Sequence, residues 1–422
     1  MREQRRCFAM CERIKARELN QVIDQNPIGR GDEIRLGCEV MLESPPSWFR
    51  SARLGLLANQ ASVDKSLAGV KELTLAAGGN LKCIFSPQHG YYSEKQANMI
   101  ESADSRDHDT GIPVVSLYSE TREPSLEALE AIDVLLIDLQ DVGTRVYTYT
   151  ATIGLCIEAA ARAGIKVVIL DRPNPINGTE IEGNVVEPAF RSFVGRYPVP
   201  MRHGLTTGEF ARFVRSTANS DCDLEVIPMK GWRRGHRFDE LGLHWVYPSP
   251  NMPTWETALV YPGMVLLEGT NISEGRGTTM PFQLFGAPFL NRVTFLEELK
   301  RHCLQGVTFR PVTYEPAFDK YKGRLCSGFQ IHITDKERFK PYRTGLAILQ
   351  ALGRTHPDLF NWLDPPYEYE LEKLPIDILI GSRSVRREIE RGNDINIIES
   401  SWEQQLREYR ESRETCLIYS ER

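Results

Sequence analysis

The sequence predicts a Rossmann-like, doubly wound α/β domain followed by a smaller α/β auxiliary domain. Three observations carry this expectation: short apolar runs succeed one another after residue 52, helical patterns lie between them, and polar residues gather just past the end of each run. At 422 residues the chain also exceeds the roughly 100–200 residues usual for one domain.

The runs are RLGLLA at 53–58, LKCIF at 81–85, PVVSLY at 113–118, VLLID at 134–138 and KVVIL at 166–170. Unbroken apolar segments of this length suit strands covered on both faces, as in a parallel sheet. Helices are expected at 64–77, 125–131 and 150–163, the last closed by Gly164 as a C-cap. Such alternation places functional residues in the loops beyond the carboxyl ends of the strands. After Pro288 the texture changes, with helices expected at 291–303, 342–352 and 400–410 and strands at 307–312 and 328–334. The division expected is a charged arm at 1–36, with a short helix at 6–19, a catalytic domain at 37–287 and an auxiliary domain at 288–422.

Composition narrows the function. With 51 basic and 57 acidic side chains the formal charge is −6, which offers no basic face to a nucleic acid. No apolar run approaches the 18 or so residues of a membrane span, and the first twenty residues contain no signal-peptide core. The nine cysteines form no CxxC pair, so buried thiols in a reducing, cytoplasmic setting are expected. The first strand is not followed by GxGxxG, EGRGTT at 274–279 is not a Walker A loop, and the eight histidines show no HxH or HExxH spacing. Neither a nucleotide cofactor nor a metal is expected.

The loops carry the chemistry. Gln88 and His89 sit in a Pro/Gly-bracketed turn after the second run, with Glu94 just beyond. Asp138 and Asp141 end the fourth run, where an ionised carboxylate must be paired or used, and Arg145 is the nearest partner in sequence. Asp171 and Arg172 follow the fifth run; Arg202 and His203 precede a helix whose N-cap is Thr206 or Thr207, with Glu209 in its first turn. The stretch 248–281 reads as a long, fixed, irregular loop bearing Asn251, Glu256, Glu268, Asn271, Glu274 and Arg276. Carboxylates, amides and arginines with aromatics such as Tyr92, Tyr147 and Trp255 suit a carbohydrate. Glycoside hydrolysis needs an acid for the leaving oxygen and a base or nucleophile on the other face of the ring, and several carboxylates are available.

Taken together, LGLLANQASVD at 54–64, IFSPQHG at 84–90, DVLLIDLQDVGTRVYTY at 133–149, LDRPNPI at 170–176, YPVPMRHGLTTGE at 197–209 and EGTNISEGRGTTMPF at 268–282 resemble the bacterial exo-β-N-acetylmuramidases of the NamZ type. The resemblance implies removal of terminal β-linked N-acetylmuramic acid from peptidoglycan fragments without nucleotide or metal. It also implies a glutamate, in the turn PEHG, at the position of Gln88, and an amide is unable to act as a general acid. The catalytic candidates are therefore Glu274 and Glu268, then Asp141, Asp138 and Glu94; the substrate-contact candidates are Gln88, His89, Arg145, Arg172, Arg202, His203, Asn251, Asn271 and Arg276, with Arg276, Arg172 and Arg202 suited to the lactyl carboxylate. The ligand expected is a small muramyl saccharide. Two other readings stay open: a saccharide-binding protein that has lost hydrolysis with Gln88, and a transferase using an activated sugar.

Overall fold

The computed structural model describes residues 33–96 and 99–421, and from Ile34 onward the chain packs as one body. The helix expected at 6–19 lies outside the described residues. The strands, in chain order, are β1 (Arg53–Leu57), β2 (Asn80–Ser86), β3 (Ser105–Arg106), β4 (Pro113–Ser116), β5 (Val134–Ile137) and β6 (Lys166–Leu170). They continue with β7 (Glu182–Val185), β8 (Pro200–Arg202), β9 (Leu224–Ile227), β10 (Leu284–Ala287), β11 (Val307–Tyr314) and β12 (Cys326–Ile333).

The main sheet has the order β3-β4-β2-β1-β5-β6-β9 and is parallel except for the antiparallel edge pair β3-β4. Its two faces are both covered. In β5, Val134 and Leu136 join one core with Leu54 and Leu56, whereas Leu135 and Ile137 join the other with Leu57 and Phe85. Each fully buried Leu or Ile contributes roughly 1.5–3 kcal/mol over its exposed state, so a strand buried on both sides reads as an unbroken apolar run. The order reverses at β1, which runs to β2 and β4 on one side and to β5, β6 and β9 on the other. A crevice beyond the carboxyl ends of the strands is expected at such a switch point.

Several elements differ from the sequence reading. The helix expected at 64–77 is only Val70–Ala76, because the Asp64 carboxylate accepts the Ser66 and Ala68 N–H groups at 2.8 Å each and closes a turn instead. The end of the arm is docked: Ile34 and Leu36 are buried, and Arg35 donates its N–H to the Lys230 carbonyl at 3.0 Å. The stretch 248–281 is not irregular throughout. It contains the helix Trp255–Met264 and a 3₁₀ turn Val265–Gly269, although Pro262 lies inside the helix. Packing overrides the proline here. Gly263 meets the helix Pro341–Thr355 so closely that a Cβ on it would lie 1.9 Å from the Pro341 carbonyl oxygen.

A second sheet, β10-β12-β11, is antiparallel, and its Phe285 and Phe329 share one continuous core with the helix Tyr149–Ala163 of the first domain. The division drawn at residue 287 therefore leaves β10, an edge strand of the second sheet, with the first domain. The chain closes with helices Pro375–Ile380, Arg383–Arg391, Ile395–Ser400 and Glu403–Glu414. Its end returns to the first domain, where the Tyr419 hydroxyl donates to Asp171 at 2.5 Å. Among the described residues no helix is long and apolar enough to cross a membrane.

One buried carboxyl on β7 makes stability depend on pH. Glu182 accepts the Arg343 N–H at 2.8 Å, while its Oε2 is buried without a hydrogen-bond partner. Burial, opposed by that bond and by Arg202, raises its pKa from 4.5 to about 7. Between those values the folded chain holds a proton that the unfolded chain has released, so stability falls as pH rises from about 4.5 to about 7. Glu182→Gln is expected to remove about 3 kcal/mol of that pH dependence in urea titrations across this range. Parallel stability-pH curves for the two proteins would refute the assignment.

Candidate functional site

A cleft opens beside the switch point. The loop after β2 supplies Gln88 and His89, the segment after β5 supplies Tyr147 and Thr148, residues 249–252 supply Ser249 and Asn251, and the segment 261–282 supplies Tyr261, Glu268, Arg276 and Phe282. Tyr367 and Glu368 complete the wall from the second domain.

Two carboxylates face this space. Glu268 follows the buried helix Trp255–Met264, so its position is fixed by the helix crossing at Gly263. Its Oε1 accepts Arg276 Nη2 at 2.5 Å and its Oε2 accepts the Tyr367 hydroxyl at 2.6 Å. Burial opposes the charge on Arg276, but Glu268 and then Glu274 outweigh it and hold the guanidinium firmly protonated. Arg276 also lies 5.1 Å from the Phe282 ring centroid, a cation–π distance. Glu368, 4% exposed, accepts Tyr118 Oη at 2.8 Å and the Gln88 amide at 3.4 Å. Desolvation raises its pKa; the Tyr118 bond works against this and the Glu268 charge adds to it.

Gln88 is oriented from behind, since Thr148 Oγ1 donates to its Oε1 at 2.7 Å. His89 occupies left-handed backbone, φ 74°, and its Nδ1 pairs with the Lys95 carbonyl at 2.7 Å. Burial depresses its pKa to about 4, so the imidazole is neutral near pH 7 and presents Nε2 as an acceptor.

The comparisons with known proteins agree along the whole body of the chain. Residues 54–256 match the family described as exo-beta-N-acetylmuramidase NamZ, N-terminal, and residues 259–419 match its C-terminal counterpart. The chain belongs to the NamZ family. The peptidoglycan beta-N-acetylmuramidase NamZ of Bacillus subtilis is 40% identical over 396 residues, 94% of each chain. Two crystal structures of DUF1343 family proteins from Bacteroides fragilis share the fold, one with a TM-score of 0.82 at 32% identity over 92% of this chain and 99% of that one, the other with 0.72 at 26% over 92% and 100%.

Within this NamZ fold the expected residues separate into two groups. Gln88, His89, Asn251, Glu268 and Arg276 line the cleft together. The rest stand elsewhere. Glu274 is buried behind Arg276, paired with its Nε at 3.2 Å and with Lys320 Nζ at 2.9 Å, and these cations hold its pKa low against desolvation. Asp138 and Arg172 form a buried ion pair with each other, and Arg172 also donates to the Val63 carbonyl at 2.7 Å. Asp141 accepts Gly143 N–H at 2.7 Å and His203 Nε2 at 3.2 Å, while His203 Nδ1 accepts the Leu205 N–H; the pair fixes a loop. Arg202 is tied to Glu180 and the Ile176 carbonyl. Arg145 is spent on backbone carbonyls, Asn271 bonds residues 359 and 361, and Glu94 is exposed on its own loop. Trp255 and Tyr92 do not line the cleft, whereas Tyr147 does.

Thr206 caps the helix Thr207–Thr217 in a reciprocal box with Glu209, as expected, but Glu209 also forms a buried pair with Arg234 at 2.5 Å. Tyr367 and Glu368 escaped the sequence reading. They lie in an acidic segment with two tyrosines, YEYELEK, that resembles any solvated turn, and Glu368 is 280 residues from Gln88.

Proposed function

We propose that this chain acts as an exo-β-N-acetylmuramidase, removing terminal β-linked N-acetylmuramic acid, or a related amino sugar, from peptidoglycan-derived saccharides. The observation that carries the reading is the presence of two buried carboxylates, Glu268 and Glu368, in one cleft lined with tyrosines and amides. A glycosidase needs such a pair, and the ring face of a sugar suits Tyr147 and Tyr261. Glu268, with Arg276 and Tyr367 fixing both its oxygens, is assigned to the face opposite the leaving group, as base or nucleophile. A binding-only protein was suggested by the amide at position 88, but a carboxyl within 3.4 Å of that amide removes the reason for it. The setting proposed is cytoplasmic, acting on muramyl saccharides released by wall turnover. It is supported by the seven described cysteines, all free thiols, the state a reducing compartment maintains.

Incubating the purified protein with the muramyl-glucosamine disaccharide, with products read by mass spectrometry, tests this beside Gln88→Glu. The wild type is expected to release free N-acetylmuramic acid. Silence of the wild type with activity gained in the variant would overturn the reading for the natural chain, and silence in both would return it to saccharide binding.

A further inference from the structure

We propose that Glu368, carried by the second domain, is the general acid that protonates the departing glycosidic oxygen. This rests on the hydrolase reading above and supplies the group that an amide at position 88 leaves missing.

Glu368 lines the inner cleft with Glu268 and Gln88, and it also lines a shallower, more open groove with Arg122, Phe193 and Tyr369. It therefore stands where the two hollows meet. In an exo-acting enzyme the terminal sugar fills the inner space and the remainder of the substrate leaves through the outer one. The bond that breaks crosses their junction, and an acid must lie within hydrogen-bond reach of it. The outer groove suits a saccharide, since Glu101, Ser119, Glu120 and Arg122 line it with groups that bind hydroxyls.

Tyr367 and Glu370 exchange both backbone hydrogen bonds, at 3.0 and 2.9 Å, so Glu368 and Tyr369 form a two-residue hairpin turn. Their φ angles are 45° and 69°, the left-handed region that such turns usually fill with Asn and Gly. A glutamate and a tyrosine held there are strained, as residues at functional sites often are, and this turn aims the carboxyl into the cleft. Both its oxygens are then fixed, one by Tyr118 and one by a Gln88 whose own carbonyl is engaged by Thr148. Burial and the nearby Glu268 favour the protonated form, as a donor requires.

In the step itself the Glu368 proton passes to the glycosidic oxygen while the C1–O bond breaks and its electron pair stays on that oxygen. The aglycone leaves as an alcohol. Water then supplies a hydroxyl to C1, and its remaining proton restores the carboxyl pair.

Glu368→Gln keeps the shape of the side chain but has no proton to give. It is to be assayed on the muramyl-glucosamine disaccharide, whose leaving group needs a proton, and on a dinitrophenyl β-N-acetylmuramide, whose leaving group does not. The expected result is a loss of about 10²- to 10⁴-fold on the disaccharide and less than about 10-fold on the aryl glycoside, with the alkaline limb of kcat/KM gone for the latter. Retained aryl turnover also shows that the variant is folded. If it is unfolded, Glu368→Asp, which shortens the reach, is expected to show the same bias between substrates. Equal losses on both substrates, or no loss on either, would overturn the assignment while leaving the hydrolase intact. A wild type silent on both would overturn the hydrolase reading itself.

Discussion

Replacing Glu268 by glutamine is expected to lower kcat on a muramyl saccharide about 10²- to 10⁴-fold and to change KM far less. The side chain is 8% exposed, faces the cleft, and has both oxygens fixed by Arg276 and Tyr367. Glutamine keeps the volume, and with its carbonyl toward Arg276 its amide donates to the Tyr367 hydroxyl oxygen, but the negative charge proposed to steady the developing positive sugar is removed. Arg276 keeps Glu274 at 3.2 Å as a counter-ion, which prevents an unpaired buried cation. Asp138→Asn is the matching control for a carboxylate paired away from the cleft, and its effect is expected in stability rather than in kcat. Initial rates and thermal unfolding of both variants make the comparison. A Glu268→Gln enzyme within about threefold of wild-type kcat, far inside the range for a lost acid or base, would remove Glu268 from the reaction.

Arg145→Met is expected to cost about 3–5 kcal/mol of stability. Arg145 is fully buried and donates to the carbonyls of Asn184 and Ile380 at 2.6 Å, Leu379 at 3.0 Å and Val199 at 3.3 Å. Leu379 and Ile380 end the helix Pro375–Ile380, where a cation is favoured, so this one side chain staples the second domain to β7 and to Val199, just before β8, in the first. Methionine fills similar space but removes these donors from a dry interior, and the Ile380 carbonyl keeps the Asn184 side-chain amide at 2.9 Å. Burial lowers the Arg145 pKa only to about 10, so the guanidinium remains charged throughout the physiological range. Urea unfolding should show a lower midpoint, and Arg145→Lys, with fewer and less well-aimed donors, should fall between. A loss below about 1 kcal/mol, the net worth of a single ordinary hydrogen bond, would show that the staple is dispensable.

The contrast between these two residues shows where sequence reading stops. The parallel sheet was legible because strands buried on both faces must be apolar at every position, as in VLLI and KVVIL. The turn holding Gln88 and His89 was legible too, since proline and glycine punctuate it immediately after such a strand. The capping box at Thr206 and Glu209 needed only a spacing of three residues. The polar residues were harder. Asp138, Asp141, Arg145 and Arg172 sit in loops beyond strand ends and Arg202 ends β8, yet partners elsewhere in the fold consume each of them. A buried charge must be satisfied whether it serves chemistry or packing, so its occurrence in a loop does not distinguish the two.

The sequence by itself determined the alternating α/β architecture, the family resemblance and the loops that border the cleft, because these follow from periodicity, turn chemistry and residue types close together in the chain. Tertiary structure alone decided which charges face the cleft. Glu268 is aimed by a helix containing Pro262 that forms because Gly263 lets another helix approach, and Glu368 reaches Gln88 from a strained turn 280 residues away. Local propensity opposes both placements, and only packing between distant segments holds them.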